Sequence, residues 1–504
     1  MLPTPPALPA MPVLGNALEF QKDRHALFTR GLRTLGPVFT VHLGPRPVVV
    51  MIGPDYQQMF FTETDKTLSI NKPYEMLKAV LGNVLFLADK ETYQEQRPVI
   101  LAPFRHEKMV KYVQIMQREV TRWLDGLGET GEMDVSAEMT RLVQNVAGSA
   151  LMGDIFQSQV GSEFWELYSE LGTTLDMVVP PNWPTPKNLR RERIKKRMRE
   201  LLRPIIEERR NHPEFYDDFL QDFINTRFTS GKLADDLTLM DLLRAFMFAS
   251  HETTAGQAAW TLIEVTRHPE YRSLVEQEIA QNLVPGEPLT SQSMRALQHT
   301  AWAVREVERL HPSADMLLRV AEQDLEVGGY RIPQGWYLLV SAAVAHRLPE
   351  LFTDPERFDP LRYAPGRAED AKHRFAMIGF GGGGHKCAGM NFANNEMLII
   401  TALTFQRLHL EMVTEQTGVD FGLGAVRPTP TVWSQDRNPR RAATHRAARC
   451  RDRGWRPASS RPPARSPTRA WLPSSSLPSC PGCASGWCSH PGARATGWRS
   501  RGWG

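Results

Sequence analysis

Apolar positions recur at helical spacing over residues 108–127, 135–151, 190–210, 238–267, 271–281, 291–310 and 391–405, predicting a helix in each. Strand patterns are fewer. VFTVHLGPRPVVVMIG at 38–53 holds two β-rich runs parted by Gly-Pro and predicts an early hairpin; short extended pieces follow at 325–327, 330–333 and 336–341. No repeat period is visible and strands do not alternate with helices, so the expected fold is mainly α with minor β-sheets. The long helix near 238 has a start signal. Thr238 would cap it, Asp241 three residues on would close a capping box, and Pro269 marks the end. Midway, Phe246, Met247 and Phe248 give way to Ala249, Ser250, His251, Glu252, Thr253 and Thr254. Small and polar residues inside an otherwise buried pattern need a reason.

Composition narrows the class. At 504 residues, 41% hydrophobic and 23% charged, the chain is ordinary for a globular protein. No apolar run approaches the ~20 residues of a transmembrane helix. The first twelve residues carry five prolines and no basic segment ahead of an apolar stretch, so a cytoplasmic location is expected. The net charge of +4 hides a division: 434–504 holds 14 Arg, no Lys and two acids, Asp436 and Asp452, a balance of +12 that leaves residues 1–433 at −8. Cys450, Cys480, Cys483 and Cys488 lie in that tail and Cys387 alone in the body, so no disulfide framework holds the body together. The tail has no Ile, Val, Phe, Met or Tyr and cannot build a core. It is expected to be disordered, with the composition of a GC-rich stretch translated out of frame. Its Cys-x-x-Cys lacks a second ligand pair, so neither a metal site nor a nucleic-acid partner is expected of it.

The most specific string is Phe380-Gly381-Gly382-Gly383-Gly384-His385-Lys386-Cys387-Ala388-Gly389. Glycines let the backbone wrap tightly and aim N–H groups at one atom, here the Cys387 sulphur, and the positive end of the helix from Asn391 would lower the thiol pKa. A cradled thiolate is a soft metal ligand. A buried core cysteine beside a flexible loop is the other reading of these residues. Likewise Glu306 and Arg309, at i and i+3 of one helix, suit an exposed ion pair, and Thr253 and Thr254 suit bonds back to helix carbonyls.

Three further strings precede the glycine loop in order: Glu252-Thr253-Thr254, Glu306-Val307-Glu308-Arg309 and Pro355-Glu356-Arg357-Phe358. Together they resemble cytochrome P450, the haem-thiolate monooxygenase family, over 11–433. The resemblance implies the cytochrome P450 fold and haem b (iron protoporphyrin IX), with Cys387 on the iron and Phe380, Gly383 and Gly389 shaping the loop. It implies a buried network of Glu306, Arg309 and Arg357. Haem propionates would meet Arg97, from the pattern Tyr93-x-x-x-Arg97, together with His385 and Arg319. On the distal side, Ala249 and Ser250 would leave room for dioxygen, Thr253 would hydrogen-bond the bound oxygen and Glu252 would relay protons.

AHRLPELFTDPERFDPLRYAPGRAED and GFGGGGHKCAG are similar to sterol 14α-demethylases and their bacterial relatives. That subfamily's Y-x-F-x-x-P-x-F-G string survives here only at Tyr74 and Gly82, and Glu252 stands where it has His. A large apolar substrate is therefore expected, sterol-, terpene- or lipid-like, with Tyr74 and Ala249 against it. The 117 residues after Cys387 are too few for a fused reductase, so electrons would come from a separate ferredoxin and its reductase or from a flavoprotein reductase. VVPPNWPTP followed by the basic run 190–197 falls where the family's substrate-access loop lies, giving at most peripheral membrane contact. Two alternatives stay open: a haem-thiolate isomerase or dehydratase without a redox partner, against which Glu252 and Thr253 argue, and a non-catalytic haem ligand-binding protein.

Overall fold

The computed structural model describes residues 2–175, 183–414, 416–422 and 425–437. In chain order its helices are α1 (Ala17–Leu35), α2 (Pro54–Thr62), α3 (Lys78–Leu81), α4 (Lys90–Leu101), α5 (His106–Gly126), α6 (Val135–Gln159), α7 (Gly161–Thr173), α8 (Pro186–Asn211), α9 (Phe219–Asn225), α10 (Asp236–Arg267), α11 (Pro269–Asn282), α12 (Ser291–Ala296), α13 (Gln298–Leu310), α14 (Ala342–Ala345) and α15 (Met390–Arg407). The strands are β1 (Val38–Leu43), β2 (Arg46–Met51), β3 (Leu68–Ser69), β4 (Thr130–Asp134), β5 (Met316–Ala321), β6 (Leu325–Val327), β7 (Tyr330–Ile332), β8 (Tyr337–Ser341), β9 (His409–Met412), β10 (Val419–Phe421), β11 (Val426–Pro428) and β12 (Val432–Asp436). The mainly helical expectation holds, and each helix read from periodicity is present. One is divided: 291–310 breaks at Leu297 (φ −82°, ψ 58°) into α12 and α13, with Thr290 and Ser293 forming a capping box on the first.

A five-stranded sheet runs β1-β2-β8-β5-β3. Its first pair is the predicted hairpin, Val38 opposite Met51. β2 then lies parallel to β8, and β8 antiparallel to β5 with Leu339 opposite Leu318. Val48 and Val50 pack with Phe39 and Leu339 on one face, Val49 and Met51 with Phe60 and Leu338 on the other. Burial on both faces explains why this strand reads as a continuous apolar run.

α10 is the central helix, packed against α6, α13 and α15. Its buried residues, among them Leu242, Leu243, Met247, Ala255, Ala258 and Leu262, are not confined to one stripe, as expected of a helix enclosed by others. Its cap differs from expectation. Asp235 is the N-cap, its carboxylate accepting from Thr238 N at 2.7 Å, so Thr238 sits within the first turn and Asp241 turns away to Arg244. A carboxylate ahead of the helix meets the free amides and the positive dipole end together.

The C-terminal boundary also moves. β12 is the middle strand of β4-β12-β9 and buries Trp433 completely, while Ser434, Gln435 and Asp436 pair with both neighbours. The boundary expected after 433 therefore falls inside a strand. Residues 438–504 lie outside the described residues, as do 176–182 of the expected access loop.

Candidate active site

Glu306 and Arg309 share one face of α13 and are fully buried. Arg309 Nη2 and Nε donate to the Glu306 carboxylate at 2.8 and 2.9 Å. The second guanidinium is that of Arg362, not Arg357: Arg362 Nε lies 3.0 and 3.1 Å from the two Glu306 oxygens, and its Nη1 donates to Glu369 at 2.6 Å. Arg357 keeps an exposed side chain and contributes only its carbonyl, which accepts from Arg309 and Arg362 at 3.1 and 3.2 Å. Pro360–Tyr363 forms a 3₁₀ turn that carries Arg362 inward, and Tyr363 Oη donates to Glu306 at 2.9 Å. With Asp359 N donating as well, Glu306 meets four partners, the satisfaction a buried carboxylate requires.

This network reaches the glycine loop through His346. Arg309 Nη1 donates to the His346 carbonyl at 3.0 Å, and His346 Nε2 accepts from Ile378 N at 2.8 Å. Burial holds that imidazole neutral, its pKa pushed down to about 3. Ile378 O accepts from Gly381 N at 2.8 Å, and Cys387 N donates to Phe380 O at 2.9 Å, closing the loop. Gly383 has φ +65°, and a Cβ there would fall 2.7 Å from the Phe61 carbonyl, so only glycine fits. Gly389 caps α15 and turns its N–H to the Cys387 thiol.

Cys387 is open to solvent on one side yet closely surrounded by protein. Burial pushes its thiol pKa up, and the Gly389 N–H and Lys386 only moderate the rise. The lowering expected from the helix end does not prevail. Deprotonation must then accompany ligation of a cation.

Asp65, which sequence reading missed, organises the flank of the loop. It sits at φ +68° in the turn after α2, and its Oδ2 lies 2.7 Å from His385 Nε2. The His385 ring stacks on Tyr93 at 4.1 Å, Tyr93 Oη donates to Gly384 O at 3.0 Å, and Arg97 lies beside that hydroxyl. Arg319, on β5, is 3% exposed, with Nε to Thr64 Oγ1 at 2.9 Å and Nη1 to Leu318 O at 2.7 Å. Burial pulls its pKa down to about 10, with Tyr74 and Asp65 opposing. Among the described residues no carboxylate forms an ion pair with Arg319 or Arg97. Tyr74, expected against substrate, spends its hydroxyl on Leu318 N at 3.0 Å and packs edge-on to Phe86.

On α10, Ala249 is exposed between the half-buried Phe248 and Ser250, and Glu252 and Thr253 are half-buried as well. Thr253 Oγ1 donates to Ala249 O at 2.7 Å, and Thr253 O accepts from Ser313 Oγ at 2.9 Å. Phe248 of α10 and Phe380 and Ala388 of the loop border one apolar core.

A family model for cytochrome P450 matches residues 5–432. The chain belongs to the cytochrome P450 family. It is 31% identical over 429 residues to a sterol 14-demethylase of Arabidopsis thaliana, covering 83% of this chain and 88% of that one. A sterol 14alpha-demethylase of Mycolicibacterium vanbaalenii is 31% identical over 407 residues, covering 79% and 89%. The cyclooctat-9-en-7-ol 5-monooxygenase of Streptomyces melanosporofaciens is 29% identical over 416 residues, covering 81% and 90%. Among solved structures, retinoic acid-bound cyanobacterial CYP120A1 aligns with a TM-score of 0.77 at 24% identity, covering 86% of this chain and 99% of that one, a likeness of fold. The P450 fold and a haem monooxygenase activity follow from the family.

The residues fit the haem iron that the family implies. An accessible thiol stands in a loop that no side chain at Gly383 could share, and the same part of the chain holds a buried guanidinium that forms no ion pair among the described residues, a second arginine, and a histidine whose Nε2 is held by Asp65, cationic groups suited to an anionic rim. No helix among the described residues is long and apolar enough to cross a membrane.

Proposed function

We propose that this P450 holds haem b through Cys387, with Arg97, Arg319 and His385 on its propionates, and hydroxylates a large apolar substrate in the cytoplasm with electrons from a separate ferredoxin or flavoprotein reductase. When bound, the haem supplies reductive activation of O₂ and insertion of one oxygen atom into a C–H bond. The chain's own residues arrange the rest. Phe380 O and the Gly389 N–H keep the Cys387 sulphur in place. Ala249 would leave room for dioxygen, Thr253 is oriented by its bond to Ala249 O, and Glu252 would carry protons along α10. The single observation that carries the reading is the accessible thiol in a loop tied through His346 to the buried Glu306 network. Its sterol 14-demethylase and cyclooctatenol monooxygenase relatives support a polycyclic or terpenoid skeleton.

The test is the reduced carbon monoxide spectrum. The protein is expected to show the long-wavelength Soret band of thiolate ligation, and Cys387→Ser to lose it. A Cys387→Ser protein that kept the band would overturn the ligand assignment.

A further inference from the structure

Thr253, Gln257, Trp260 and Glu264 follow one another at three- and four-residue spacing, one stripe of α10. Each meets the short segment that follows α13. His311 Nε2 lies 3.1 Å from Glu264, and its ring stacks on Trp260 at 3.8 Å, 3° from parallel. Gln257 Nε2 donates to the His311 carbonyl, and Ser313 Oγ donates to the Thr253 carbonyl at 2.9 Å. Ser313 is 8% exposed, and its own carbonyl accepts from Val426 N of β11 at 3.0 Å. β11 in turn presses on α10 at Gly256, where a Cβ would fall 3.2 Å from the Val426 carbonyl.

These contacts form a seam whose two ends differ in kind. One end continues into α13, where Arg309 joins Glu306 to the His346 carbonyl and so to the glycine loop. The other ends on Thr253, which is gripped twice. Its hydroxyl donates to Ala249 O at 2.7 Å inside the helix, and its carbonyl is held from outside by Ser313. A carbonyl within a helix already faces the amide four residues on, so a second donor on its remaining lone pair fixes the tilt of that peptide. A buried serine hydroxyl requires an acceptor. Here the acceptor is the backbone of the one residue whose hydroxyl direction the proposed oxygen chemistry uses.

We infer that Ser313 is a positioning residue for oxygen activation: by holding the Thr253 peptide it keeps the threonine hydroxyl in one direction while dioxygen is bound. Its own hydroxyl is spent on the Thr253 carbonyl, so it acts through Thr253 alone. This rests on the role proposed for Thr253 in the monooxygenase reading.

The experiment uses the full-length holoenzyme with dioxygen itself as the probe. Protein reduced with stoichiometric dithionite is mixed with air-saturated buffer, and its return to the ferric spectrum is timed. Thr253→Ala is expected to speed that return, and Ser313→Ala to speed it severalfold by the same route. The double variant should be no faster than Thr253→Ala alone, because a residue acting through Thr253 then has nothing left to act on. Ser313→Thr, which keeps the hydroxyl, should restore the parental rate. Backbone amide exchange over 250–257 gives a second reading: it should quicken about fivefold in Ser313→Ala, the scale of one hydrogen bond, and stay parental in Ser313→Thr. A parental return rate or parental exchange in Ser313→Ala, or effects that multiply in the double variant, would overturn the inference. A parental rate in Thr253→Ala would remove the role given to Thr253, and Ser313 with it. Loss of the thiolate-type carbon monoxide band would instead sink the monooxygenase reading, so the failures are distinguishable.

Discussion

Glu306 is enclosed by two guanidinium groups, a tyrosine hydroxyl and a backbone amide, so removing one cation leaves a buried charge without its counterpart. Breaking a buried pair in this way costs about 3–5 kcal/mol. Arg362→Leu is expected to lose stability on that scale, whereas Arg357→Ala, at an exposed side chain, should stay within about 0.5 kcal/mol. Denaturant titration of both proteins checks this, and equal losses would remove Arg362 from its assigned place. At Thr253 the side chain bonds only the carbonyl of Ala249. Thr253→Ala should therefore keep haem content and substrate affinity while diverting electrons from product to hydrogen peroxide. Peroxide formed per reductant consumed measures the effect; unchanged coupling would shift the proton role to Thr254 or to water.

At the scale of elements, the irregular stretch after β8 is held by Glu369, which is nearly buried. Burial opposes its charge, but hydrogen bonds from Arg367, Thr353 N and Arg362 prevail and bring its pKa down to about 2 from 4.5. A depressed carboxylate stabilises the fold above its unfolded pKa and loses that contribution as pH falls through the folded value. Glu369→Gln should therefore be less stable than the parent at pH 7, with the gap narrowing from about pH 4.5 and closing near pH 2. Unfolding midpoints against pH test it; a gap independent of pH would show that shape rather than charge matters there. β12 supplies a second expectation. Truncation after Trp433 removes Ser434, Gln435 and Asp436 from between β4 and β9 and should lower the melting temperature, while truncation after Arg437 should not. Equal melting temperatures would mean the outer half of the strand contributes nothing.

For the whole molecule the charge division remains the largest feature. Asp436 and Arg437 cancel, so moving the boundary to 437 leaves +12 on residues 438–504 and −8 on the rest. Attraction between charges is screened beyond about 8–10 Å at ordinary salt. The protein ending at Arg437 is therefore expected to match the full chain in haem content and in ferredoxin-driven turnover at all ionic strengths. A deficit that shrinks as salt rises would assign the arginine-rich segment a part in partner binding.

Chemistry that depends on residue type and local spacing was legible in the sequence. The glycine loop with Cys387, the i, i+3 pair Glu306 and Arg309, the polar turn of α10 and the periodic helices all follow from neighbours within a few positions. Helix α4 and strand β5 were not read, although Tyr93, Arg97 and Arg319 on them were, because short or polar elements carry little periodicity. What only the tertiary structure decided are choices between equivalent candidates far apart in the chain. Arg357 and Arg362 have similar surroundings in DPERFDPLRY, and the direction of one 3₁₀ turn sends the second inward. Asp65 and His346 matter because folding brings them against a loop some 320 and 32 residues away. The raised thiol pKa of Cys387 likewise arises from burial. Desolvation is set by everything that packs around a group, and no local pattern encodes it.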